Sequence, residues 1–452
     1  MRAKPLIRFA NHLLCLLALS LLGLGPALAQ APQAGLSSDV PTIVINTGTA
    51  AQLKIAVVPF AFEAAGAPVE TDVSDVVRMD LSRSGTFAPL DKKDVVEFPT
   101  RGNDIKYATW NLLKQQFIAV GRVTDADGGA MRVEFELYDV AKQERLLGLA
   151  ITGQRSDLRG VGHQIADLIY EKITGLRGAF WTRVAYVTAA GVSPNINYAL
   201  MVADSDGYNP QVLVKSREPL LSPSWSPDGK KLAYVSFERG DSAIYIQEIA
   251  TGSRQVVSNR KGINGAPAFS PDGSKLALTL SYLGNPDIFI MDLASRELKR
   301  VTNHFSIDTE AQWMPDGQSL VFTSDRSGKP QLYTVSTAGG DATRLTFQGE
   351  YNAKSSISYD GKKFAMAQGT GNVYRIAVLD RSKSAAGMNV LSPGSVDESP
   401  SFAPNGSMLL YAATDGPRGV LYAVSADGRV RQRLVLADGD VREPSWGPFR
   451  QR

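Results

Sequence analysis

Eight carboxylates stand where chemistry could be done. Glu218, Asp308, Glu310, Glu350, Asp397, Glu398, Asp440 and Glu443 fall in the polar stretches just ahead of strand-like runs. Acids gathered at one mouth of a fold can bind calcium through oxygen, work as an acid/base pair on a glycoside, or dock another protein. Three readings stay open: a solvated polar rim, part of a docking face, and a calcium or catalytic-acid site. For glycoside cleavage the deciding quantity is the carboxylate separation, which is three-dimensional. Other reactive groups are scarce. One cysteine and three histidines in 452 residues exclude an intrachain disulfide framework and any multi-cysteine zinc or iron–sulfur site. His163 and His304 read as structural or surface residues. The chain lacks a G-x-S-x-G elbow, a Walker A loop, an H-E-x-x-H helix and an EF-hand loop, so we expect no catalytic residue and, the calcium reading aside, no cofactor.

The acids are positioned by an internal repeat. Ser226-Pro227-Asp228-Gly229, Ser270-Pro271-Asp272-Gly273, Met314-Pro315-Asp316-Gly317, Ser358-Tyr359-Asp360-Gly361 and Ala403-Pro404-Asn405-Gly406 have glycines 44, 44, 44 and 45 residues apart. Pro presets φ in a turn, Asp or Asn suits the next position, and Gly takes the left-handed conformation that closes a tight hairpin. Four residues before each Gly stands a large apolar residue: Trp225, Phe269, Trp313, Ile357 and Phe402. Present in every repeat, these are expected to fill the core between repeats. Strand-like runs follow each turn, giving about four strands per repeat, which is a propeller blade. Residues 184–187, 198–202 and 212–214 read as three strands of a blade lacking its first. Trp446 falls 44 residues beyond Phe402, so the C-terminal segment is expected to supply the missing strand and close a six-bladed ring. Closure removes open strand edges.

Residues 49–177 obey other rules. A buried-type strand at 54–59 precedes a helix at 72–83, with Val73, Val76, Val77 and Leu81 on one face. A short helix at 105–114, strands at 117–120, 132–140 and 146–152, and a last helix ending at Gly175 complete a small α/β domain. The fold class is therefore a small α/β N-terminal domain followed by an all-β six-bladed propeller (178–452). Ahead of both, Arg2, Lys4 and Arg8, an apolar run at 13–24 and Ala27-Leu28-Ala29 form a secretory signal peptide over 1–29. The run is too short to span a bilayer. Cleavage after Ala29 takes away three basic residues, no acidic ones, and the only cysteine, Cys15. The 48 basic residues become 45 against 45 acidic, so no basic footprint for nucleic acid survives. Secretion without cysteine fits a bacterial periplasm. Residues 30–48 are a flexible lead ending in a β-prone stretch, able to lie on its own protein or to extend a partner's sheet.

Several stretches carry a resemblance: IVINTG at 43–48, IAVVPF at 55–60, NGAPAFSPDG at 264–273, DESPSFAPNG at 397–406 and the ending PSWGPF at 444–449. With the domain order, they make the chain similar to the TolB family of periplasmic Tol–Pal proteins. The resemblance implies a non-enzymatic, monomeric hub in a Gram-negative periplasm, supporting outer-membrane integrity and envelope constriction. It implies that the lipoprotein Pal binds at the propeller mouth, through Ile263, Asn264, Gly265, Ala266, Asp308, Thr309 and Glu310. It implies that TolA binds the mature N-terminus, at Val40, Pro41, Thr42, Ile43, Val44, Ile45, Asn46, Thr47 and Gly48, and that other outer-membrane proteins are further partners. Ile263 stands where family members carry His. The alternative is a secreted propeller glycan lyase or hydrolase working in a carboxylate-lined channel.

Overall fold

A computed structural model describes residues 43–45 (backbone only), 51–65, 69–382, 387–416, 418–434 and 439–451. The expected signal peptide with Cys15, and Val40, Pro41, Thr42, Asn46, Thr47 and Gly48 of the N-terminal segment, lie outside the described residues.

β1 (Ile43–Ile45) precedes a mixed sheet built from β2 (Leu53–Val57), β3 (Ala61–Phe62), β4 (Phe87–Pro89), β5 (Phe117–Asp125), β6 (Ala130–Asp139) and β7 (Glu144–Gln154). Its order is β4-β2-β5-β6-β7, with β3 also on β5. The left side is parallel and the right side antiparallel. Helix α1 (Val73–Arg83) starts where the Asp72 carboxylate accepts the Ser74 amide at 2.9 Å, satisfying one of the orphan donors of a first turn. Helix α2 (Tyr107–Leu112) is shorter than the expected 105–114, because Lys114 takes a left-handed φ of 56° and Lys106 gives no side-chain cap. Helix α3 (Leu158–Thr174) ends at Gly175, φ 76°, whose N–H reaches the Glu171 carbonyl. Val73, Val77 and Leu81 of α1 and Val161, Ile165 and Ile169 of α3 close over Val123, Val133 and Phe135 of the sheet as one core. The period-3.6 stripes and the period-2 strands thus meet on the same face.

Six antiparallel sheets follow, five of four strands and the sixth of four strands with β1 added at its edge. Each of the second to sixth blades runs outward from an inner strand: Leu220–Trp225, Asn264–Phe269, Asp308–Trp313, Tyr351–Ile357 and Glu398–Phe402. The first blade is Arg183–Ala190, Asn197–Asp204 and Gln211–Ser216, and its inner strand is Asp440–Trp446 from the other end of the chain. The ring closes there, as the 44-residue beat requires. Asp440 pairs with Ala189 and Trp446 with Val184. The Trp446 indole donates to Thr182 Oγ1 at 2.8 Å. The recurring aromatics are inter-blade filler. Trp225 and Trp313 also donate their indole N–H groups to the preceding blade's inner strand, at Ser445 O and Ala268 O.

The repeated turns work as their chemistry dictates. Ser226 Oγ bonds the Asp228 carboxylate and accepts the Lys231 amide, while Gly229 (φ 68°) sends its N–H to the Ser226 carbonyl. A second device repeats with the same beat. Every inner strand is broken by a bulge, at Ser222, Ala266, Glu310, Lys354, Ser399 and Glu443, and all six have φ between 45° and 57°. Left-handed non-glycine residues are strained. Six in one ring mean that blade packing holds each of them there.

Candidate functional site

Successive strands of a blade run antiparallel, so the loops leading into inner strands and the turns between second and third strands share one end of the ring. That end is the mouth. Of the eight carboxylates the sequence placed there, Asp440 is half-buried and accepts the Gly419 amide at 2.9 Å, and the other seven sort into three kinds. Glu218 and Glu350 are exposed. Asp308 and Asp397 are fully buried and clamp their own loops. Both Asp308 oxygens accept from Nη2 of Arg326, at 2.9 and 2.8 Å, and Asp397 takes the Gly394 amide at 3.0 Å.

Glu310, Glu398 and Glu443 turn toward the axis, where Lys354 meets them. Lys354 Nζ lies 2.7 Å from Glu443 Oε1, bridging the fifth blade to the first and so spanning the channel. The other Glu443 oxygen accepts the Ser222 amide, and Glu310 accepts the Lys354 amide and the Thr323 hydroxyl. The bulge N–H groups of two blades are thereby capped by carboxylates of their neighbours. Burial pushes the Glu310 and Glu398 carboxyls up, Lys354 opposing it in both. Burial alone would depress the Lys354 ammonium, but Glu443, Glu398 and Glu310 outweigh it and lift it above the usual lysine range. A lysine already fills the place a cation would take among these acids.

The residues expected at the Pal face divide in the same way. Ile263 is exposed, and Gly265, Ala266 and Thr309 are half-buried. Asn264 is fully buried and ties its loop together through Ser258 Oγ, the Arg260 amide and the Arg260 carbonyl. Asp308 and Glu310 are committed within the fold, as above. The structure therefore brings all seven to the mouth end of the third and fourth blades but leaves only some of their side chains open. Sequence reasoning missed the mouth's apolar groups. Phe305 (87% exposed) and Phe347 (74%) stand in the loops before the fourth and fifth blades, and Leu283 (55%) tips a turn of the third. An aromatic flanked by His304 and Ser306 in a polar loop was the available signal.

A second polar cluster joins the domains. His163 on α3 holds Asp80 of α1 at 2.6 Å through Nδ1, and its Nε2 faces Asp206 of the first blade at 3.6 Å. Arg83 pairs with Asp80 and donates to Ser205, and Arg159 pairs with Asp206. Burial would depress the His163 imidazole, but Asp80 and then Asp206 outweigh it and raise it; Asp206 is held low by His163, Arg83 and Arg159 against burial. Asp167 takes the Phe180 and Trp181 amides of the interdomain connection, and burial pushes it up to about 7. Asp80, His163 and Asp206 form the one group with metal-ligating potential among the described residues. Two guanidiniums already neutralise its carboxylates, and His163 would use a different ring nitrogen toward each acid, so a single ion fits poorly.

These features define a class: a two-domain scaffold whose loops and strand edges offer surfaces, with its charged clusters spent on holding blades and domains together. The comparisons with known proteins place it more closely. Residues 170–450 match the model of the TolB beta propeller domain, and residues 41–146 that of the TolB amino-terminal domain. The chain is 68% identical over 425 residues to the Tol-Pal system protein TolB of Xanthomonas euvesicatoria pv. vesicatoria, covering 94% of this chain and 96% of that one. It is 67% identical, over the same shares, to that of Xanthomonas campestris pv. campestris. The crystal structure of TolB from Acinetobacter baumannii superposes with a TM-score of 0.82 at 41% identity, covering 91% of this chain and all of that one. The chain belongs to the TolB family, and with it to the Tol–Pal system. No helix among the described residues is long and apolar enough to cross a membrane.

Proposed function

We propose that the chain is a non-enzymatic docking hub of the Gram-negative periplasm, binding Pal at the propeller mouth and TolA through its N-terminal segment. The carrying observation is the position of β1. Ile43, Val44 and Ile45 pair antiparallel with Gln432, Arg431 and Val430, adding a fifth strand to the outer edge of the sixth blade. The backbone groups that β1 spends on Val430–Gln432 are not open to a partner's sheet edge while it is docked, so capture of that edge by TolA requires its release. Pal occupancy can bias that release only if Pal binds the docked and released states with different affinity. At the mouth, Ile263 and the added Phe305 and Phe347 supply exposed apolar groups beside the half-buried Thr309 hydroxyl, above a ring of clamped polar side chains, the mix of an interface core within a polar rim. The scarcity of catalytic groups and the commitment of the channel acids to Lys354 and to blade amides favour this reading over a glycan lyase or hydrolase.

The test is a pair of titrations. Deleting residues 30–48 should abolish TolA binding and leave Pal binding in place, shifted only by the difference between its affinities for the docked and released states. Loss of both affinities, or retention of TolA, would sink the proposal.

A further inference from the structure

The α/β domain carries an open binding edge that the Tol–Pal reading does not use. β7 is eleven residues long, pairs with β6 on one side and has no strand on the other among the described residues. Its side chains from Gly148 to Ala150 are exposed. Long free edges are hazards that proteins usually blunt with proline, lysine or a covering loop. Between Leu146 and Gln154, β7 has none of these charged or proline gatekeepers.

Its two faces differ. On one, a groove of about 580 Å³ is lined by Arg101, Arg122, Arg132 and Arg145 against Glu134 and Glu136. Arg122 and Arg132 share Glu134, Arg122 also approaches Glu63 at 3.8 Å, and Arg145 uses Glu136, which leaves three carboxylates against four arginines. Arg101 is exposed and makes no ion pair among the described residues. The groove is thus short of negative charge. Its β7 floor is Gly148 and Ala150, small enough to leave Arg132 of β6 and Arg122 of β5 reachable from the edge. On the other face, Leu147 and Ile151 pack on the core, and Leu149 between them is 45% exposed.

We propose that this edge takes up an extended segment of a partner protein whose side chains alternate between acidic and apolar, adding it as the next strand of the sheet. Side chains two apart on a strand share a face. One set would therefore reach the arginines across Gly148 and Ala150, and the other would cover Leu149. β6 already shows the pattern on the opposite edge of β7. Glu134 and Glu136 lie opposite Ala150 and Gly148, while Phe135 and Leu137 lie opposite Leu149 and Leu147. A second copy of this chain is a poor occupant. Antiparallel β7 strands related by a two-fold axis would bring two arginine-lined faces onto one side, where like charges repel.

The probe is a fluorescent peptide copying residues 130–139, compared with the same peptide carrying Lys at both glutamate positions. Titrated into the full chain, the acidic peptide should bind about tenfold more tightly than the lysine peptide at low salt. Added salt should narrow that gap. Hydrogen exchange should slow across 144–154 with β6 unchanged. Leu149→Lys and Arg101→Glu, both at exposed sites, should each weaken the acidic peptide severalfold without moving the melting temperature. Equal affinity for the two peptides overturns the proposal. So does faster exchange in β6, which would report strand displacement, or concentration-dependent dimerisation lost in Leu149→Lys.

Discussion

Lys354→Met removes the one ammonium that Glu310, Glu398 and Glu443 share. Breaking a buried ion pair by deleting one partner costs about 3–5 kcal/mol, because the remaining charge stays buried. The Lys354 side chain keeps 30% of its surface and Glu443 15%, so part of that cost is screened, leaving about 2–3 kcal/mol. For a domain of this size that is a fall of roughly 4–10 °C in melting temperature. The loss should depend on pH with a definite sign. Burial already holds the Glu310 and Glu398 carboxyls above their unfolded values, and removing the lysine raises them further. The folded variant then binds more protons than the unfolded chain, so its stability recovers as pH falls and is lost as pH rises through the shifted carboxyl values. Urea unfolding at pH 8 and pH 5 should show the full deficit at pH 8 and less than half of it at pH 5. Adding Glu443→Gln removes a stranded carboxylate and should restore part of the stability at pH 8. A deficit under about 1 kcal/mol at pH 8, or a double variant less stable than the single one, would refute the account of a lysine bridging the channel.

Three other outcomes follow from the same geometry. Asp167→Asn should flatten the decline in stability between about pH 4 and pH 7. A carboxyl lifted to about 7 in the folded state favours folding most below its unfolded value of about 3.9, and that advantage fades as pH rises through 7; an unchanged slope in pH-dependent unfolding counts against it. Trp446→Ala should cost about 3–5 kcal/mol in urea unfolding, since it empties the seam where the ring closes and leaves Thr182 Oγ1 with only its bond to the Ala179 carbonyl, and a loss near zero would deny that this seam carries load. Phe305→Ser should weaken Pal by about 1–2 kcal/mol in calorimetry without shifting the melting temperature, whereas Asp308→Ala should lower the melting temperature through its stranded partner Arg326; the reverse pattern would exchange the roles given to the two residues.

What could be read from residues and what could not divides along a physical line. The 44-residue beat was legible because a tight turn ending in left-handed Gly imposes its own side chains, and Trp446 announced closure by falling on that beat. The helix caps and apolar stripes of the α/β domain were equally local. The bulges were invisible: Ser222, Ala266, Glu310, Lys354, Ser399 and Glu443 share no side-chain type, since the ring imposes their conformation. Asp308 and Asn264 were expected at a docking face, and their position is as read, but their burial depends on Arg326 eighteen residues on and on a loop folding back. β1 was readable as β-prone. Its pairing with residues nearly four hundred positions away leaves no local trace. Phe305 and Phe347 escaped because they keep no period.

The strand that completes the propeller is made last and pairs with one of the first propeller strands made. Until Asp440–Trp446 exists, Arg183–Ala190 presents a bare edge, and every blade already formed belongs to an open arc. Contacts this distant in sequence are slow to form, so the newborn chain waits in that condition. A chain broken off early would keep the open edge permanently. It would differ from the finished protein in just the feature that attracts proteases and aggregation. The seam therefore doubles as a proof of closure, sorting chains that have reached Asp440–Trp446 from those that stop short of it, with no reader beyond the edge itself.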